Sequence, residues 1–100
     1  MTWRKVTLTA EQNTSAEPLV KILNGFSSLL NQRMPPSGVG LFTQKQNASD
    51  YSFTVYFSPA CAEYCPEYLE QIGAINCDRP NSSDVQFLLG TSDAGSLLNV

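Results

Sequence analysis

The chain has 100 residues, 42% of them hydrophobic and only 15% charged, with a formal net charge of −3 and a pI near 4.6. That length fits one domain with one core over residues 1–100. The six basic residues, Arg4, Lys5, Lys21, Arg33, Lys45 and Arg79, are scattered, which argues against a phosphate-tracking surface for nucleic acid.

Residues 3–10 alternate Val6 and Leu8 with Lys5 and Thr7, the period of a strand. Thr14-Ser15-Ala16-Glu17 fits a capping box, and Pro18 falls in the first turn, where a missing N–H is tolerated. Leu19, Ile22, Leu23, Phe26, Leu29 and Leu30 then recur at helical spacing, which predicts a helix over 15–32. Gly25 weakens it slightly and permits close packing. Pro35-Pro36-Ser37-Gly38 stops it. Residues 39–45 read as a second strand, 46–50 as a polar turn, and 51–58 as a third strand. These two strands form a hairpin. Tyr51, Phe53, Val55 and Phe57 share one face of the third strand; Ser52, Thr54, Tyr56 and Ser58 share the other. Ser58-Pro59 resembles an N-cap followed by proline at the first helical position. Cys61, Cys65, Tyr68, Leu69 and Ile72 keep helical spacing, but Pro66 requires a kink or a new start near Cys65. Residues 76–84 read as a loop and 85–89 as a last strand. The tail, 91–100, makes one turn docked by Leu97 and Leu98.

Strand, helix, strand, strand, helix, strand is the ferredoxin-like βαββαβ order. It predicts an α+β two-layer sandwich with four antiparallel strands and two helices on one face. The other face would carry Tyr56, Ser52 and Thr54, with Trp3 and Leu88, open to a second copy of the chain or to a small ligand.

There is no histidine, so Ser-His and Cys-His nucleophile pairs and His-bearing zinc sites are excluded. Three cysteines cannot make a four-cysteine metal site. No phosphate-binding glycine loop or acidic calcium loop occurs, and no cofactor or metal is expected. Cys61 and Cys65, at i and i+4, share a helical face; they are either a redox pair or part of the apolar stripe through Leu69 and Ile72. The stripe reading is favoured because a redox pair normally uses Cys-x-x-Cys. Tyr56, Tyr64 and Tyr68 could line a pocket with Asp78 and Arg79, or form an amphipathic core edge. Asp78-Arg79-Pro80 reads as a fixed turn, and Glu63, Glu67 and Glu70 as a solvated helix face.

No window approaches the ~20 apolar residues of a membrane helix. The start, Met1-Thr2-Trp3-Arg4-Lys5-Val6, lacks a signal-peptide pattern. With the odd cysteine count, these features place the chain in the cytoplasm. Sequons at Asn13, Asn47 and Asn81 are then turn composition. The expected function is a non-enzymatic protein-binding or accessory domain that self-associates as a homodimer. The alternatives are a small-molecule-binding or cofactor-free enzyme domain of the dimeric α+β barrel type, and a thiol redox protein. Trp3, Tyr56, Tyr64, Tyr68 and Arg79 are the interface or ligand candidates.

Overall fold

A computed structural model of the chain describes residues 2–9, 17–44 and 52–99. Period-two alternation in β1 (Trp3–Thr9) sends Val6 and Leu8 to one face and Trp3 to the other. Ile22 and Phe26 bury the inner stripe of α1 (Glu17–Gln32). After it come β2 (Gly40–Gln44) and β3 (Ser52–Phe57). The break at Cys65, φ −144° and ψ 62°, separates α2 (Pro59–Tyr64) from α3 (Pro66–Gln71), each with proline in its first turn. The chain continues through β4 (Ile75–Cys77), β5 (Val85–Gly90) and a 3-10 turn, Ala94–Asn99. The expected cap at Thr14, the turn at 46–50 and the sequons at Asn13 and Asn47 lie outside the described residues.

Among the described residues the fold is α+β, with five antiparallel strands in one sheet of order β4-β1-β3-β2-β5. Val6 stands opposite Val55 and Leu41 opposite Phe57, which aligns apolar side chains beneath the helices. Two expectations are corrected. The sheet has five strands rather than four, because Ile75–Cys77, which overlaps the start of the loop expected over 76–84, pairs with β1. The strand read as the fourth is a fifth, on the far edge beside β2. Three helices replace two, because the proline at position 66 divides the second.

The face expected to be open is also covered. Val6, Leu41, Val55 and Phe57 pack with Ile22, Phe26, Cys61, Tyr64, Cys65 and Leu69 on the helical side. On the opposite side Trp3, Phe42, Val85 and Ala94 form a second cluster, flanked by Tyr56, Cys77, Leu97 and Leu98. Trp3 is 6% exposed and Phe42 fully buried beneath the C-terminal turn. Leu88 packs instead with the helical-side core. Gly40 makes this possible: a Cβ there would lie 2.5 Å from the Ala94 Cβ, so only glycine lets the turn settle on β2.

Candidate functional site

β1 and β2 begin, and β3 and β4 finish, at one end of the sheet. Segments leaving that end enclose a cleft of about 470 Å³. Pro36, Ser37 and Gly38 come from the approach to β2, and Pro59, Ala60 and Glu63 from α2. Trp3, Arg79 and Leu97 come from β1, the chain after β4 and the 3-10 turn. Prolines on two sides stiffen the walls by fixing φ. The Trp3 ring is held by Phe42, with centroids 5.5 Å apart and planes at 52°. Gly38, at φ 88°, takes a left-handed conformation that favours glycine.

Two polar clamps fix this end. Ser58, with no exposed surface, accepts a hydrogen bond from the Gly40 N–H at 2.9 Å and donates one to the Gly38 carbonyl at 2.5 Å. Its side chain therefore holds the approach to β2 and gives α2 no capping hydrogen bond, although the residue occupies the N-cap position. The second clamp is Asp93. Its carboxylate accepts hydrogen bonds from the Ser37 hydroxyl, from Thr91 Oγ1 at 2.5 Å and from the Gly38 N–H at 3.3 Å. The bonds from Ser37 and Thr91 hold its pKa down at about 2.

Of the ligand candidates read from the sequence, the structure brings Trp3 and Arg79 together in the cleft. Tyr56 sits on the same sheet face, where burial, followed by the charges of Cys77 and Asp84, raises its pKa. Tyr64 and Tyr68 point elsewhere, so the three tyrosines do not share a pocket. The Tyr64 hydroxyl donates to the Leu29 and Arg33 carbonyls, 2.7 and 2.6 Å away, closing the end of α1. Arg33 answers by donating to the Tyr64 carbonyl at 2.6 Å, with its guanidinium 5.2 Å from the ring centroid. The Tyr68 hydroxyl donates to the Ile22 carbonyl at 3.2 Å; a Cβ at Gly25 would lie 2.8 Å from that hydroxyl, so the glycine admits the ring.

Cys61 and Cys65 are both buried, in one cluster with Leu69. Cys61 Sγ donates to the Gly40 carbonyl at 3.4 Å and lies 3.5 Å from Ser58 Oγ. Burial pushes both thiols up, that of Cys65 to about 12. At neutral pH neither supplies much thiolate, the form that attacks disulfides.

Sequence reasoning did not single out Ser58, Asp93 or Leu97 for the cleft. Pro35-Pro36-Ser37-Gly38 and Ser58-Pro59 were legible only as a helix stop and start; their meeting depends on strand order. No family model, curated protein or solved structure matches the chain. Among the described residues no helix is long and apolar enough to cross a membrane.

Proposed function

We propose that the chain is a non-enzymatic binding domain that holds an apolar group of its partner or ligand in the cleft beside Trp3. The cleft carries this reading. Its volume falls within the range of about 300–1,000 Å³ typical of ligand sites, and Trp3, Pro36, Pro59, Ala60 and Leu97 are apolar. The non-enzymatic part is supported by the tyrosine hydroxyls bound to α1 carbonyls and by the two buried thiols with raised pKa. Buried free cysteines also support a cytoplasmic setting. Trp3 is the one tryptophan of the chain, so its fluorescence reports the site directly. An apolar naphthyl probe should quench it saturably, and Ala60→Phe, which fills the cleft, should abolish the effect while melting stays cooperative. Saturable binding that persists unchanged in a folded Ala60→Phe protein would refute the assignment.

The architecture supports a finer reading. The β4-β1-β3-β2 part of the sheet is the strand order of a ferredoxin-like domain, to which β5 is added outside β2.

Self-association is a second reading, favoured by the β5 edge. The six residues of β5 carry no charge and no proline, and Phe87 is 38% exposed. Edges are usually protected by such residues or by shortness, as at three-residue β4. Two β5 strands could pair antiparallel about a two-fold axis. The dimeric α+β barrel type of pairing is disfavoured because Trp3 and Phe42 already lie beneath the C-terminal turn. Light scattering should give a dimer mass that Phe87→Lys halves; a monomer mass at millimolar concentration would end this reading.

A further inference from the structure

We infer that the ligand of the cleft is an uncharged, mainly apolar small molecule, an inference that rests on the binding function proposed above. The wall at positions 37 and 38 has its hydrogen-bonding groups engaged. The Ser37 hydroxyl donates to Asp93, and the Gly38 N–H donates to Thr91 Oγ1 and Asp93 Oδ1. The Gly38 carbonyl accepts from Ser58. Among the described residues, the charged side chains that line the cleft are Glu63 and Arg79, of opposite sign, and the Asp93 carboxylate behind positions 37 and 38 is met by three hydrogen-bond donors. An anion entering would gain from Arg79 and lose to Glu63; a cation would meet the reverse. Either ion would also give up hydration on contact with Trp3, Pro59 and Leu97, without a matched set of hydrogen bonds to replace it. An uncharged molecule pays no such penalty, and its apolar surface drives transfer from water. A polar group at one end remains compatible, since the Glu63 carboxylate can accept a hydrogen bond.

Three probes of one shape test the inference on the full chain: 2-naphthylmethanol, 2-naphthoate and 2-naphthylmethylammonium. Each is titrated against Trp3 fluorescence, and amide chemical shifts of Gly38, Ala60 and Leu97 are followed in parallel to locate the probe. The alcohol should bind at least about tenfold more tightly than either ion, a gap that corresponds to about 1.4 kcal/mol. Replacing Glu63 by Gln removes a negative charge from the lining and should selectively improve naphthoate; Arg79→Gln removes a positive charge and should selectively improve the ammonium probe. If all three bind at the cleft with similar affinity, or an ion binds most tightly, the uncharged class is wrong while the binding site stands. If none moves Trp3 fluorescence or the three amides, the binding site and the ligand class fall together.

Discussion

Replacing Ser58 by Ala removes one oxygen and leaves two backbone groups without their partner. The Gly40 N–H loses its acceptor at 2.9 Å and the Gly38 carbonyl loses its donor at 2.5 Å. Each orphaned buried group costs about 1–3 kcal/mol. Gly40 is buried, so its N–H bears the full cost, whereas Gly38 is partly exposed and its carbonyl can recruit water. The net loss is therefore about 2–3 kcal/mol, less than the sum of two full penalties. For a chain of this length that lowers the melting temperature by about 10–15 °C. Urea unfolding followed by Trp3 fluorescence measures it: the midpoint should fall and the slope stay constant, since the surface exposed on unfolding is unchanged. Ser58→Thr keeps the hydroxyl but adds a methyl to a fully buried site, so it should fall between wild type and Ala. A Ser58→Ala protein within about 0.5 kcal/mol of wild type, the range of ordinary surface substitutions, would refute the assignment of Ser58 as the clamp.

Cys77 is half-buried, so a thiol reagent should modify it first, with Cys61 and Cys65 at least about tenfold slower until unfolding; rapid labelling of either in the native protein would contradict their placement in the core. Gly25→Ala should gain up to about 1 kcal/mol of helix propensity only when Tyr68→Phe removes the hydroxyl 2.8 Å from the new Cβ. Strict additivity of the two changes in a double-mutant cycle would show that they do not meet. Asp93 has its pKa depressed from an ordinary 3.8 to about 2, so its clamp stabilises the fold above pH 3.8 and is lost as the pH falls toward 2. Acid unfolding should separate wild type from Asp93→Asn at pH 5 and bring them together near pH 2, and an equal gap at both would discount the ionised carboxylate.

The elements with strong periodicity were legible in the sequence. Alternation around Val6 and Leu8 and the stripe through Ile22 and Phe26 report directly which face is buried. β4 left no such trace, because Ile75 is 58% exposed and the three-residue strand pairs on one side only. The second core was harder to read, since its parts come from Trp3, Phe42, Val85 and Ala94, far apart in the chain. One signal was present: residues 39–42, Val-Gly-Leu-Phe, carry apolar side chains to both faces, as a strand covered on both sides does. Trp3 and Arg79 were recognisable as candidates by residue type, but Pro36 and Pro59 come beside Trp3 only through the β1-β3-β2 order, and Leu97 only through the course of the chain after β5.

The crossing of β5 to the far edge also limits how the chain can change. β4 and β5 occupy opposite edges, and Cys77 lies at the Trp3 end of the sheet while Val85 lies opposite Gln44 at the other. At about 4.8 Å per strand spacing and about 3.3 Å per residue along a strand, four spacings and four residues make a diagonal of roughly 23 Å. Four extended steps from Cys77 to Asn81 supply about 14 Å at most. The turn from Asn81 to Asp84, closed by the Asp84 N–H donating to the Asn81 carbonyl at 2.9 Å, spans less than about 7 Å, and one step of about 3.8 Å remains to Val85. The available reach exceeds the required distance by less than about one residue's length. Surface connections usually tolerate insertion and deletion alike, but this one is asymmetric: it can grow outward, whereas losing two residues would pull β5 from its register on β2 and uncover Phe42.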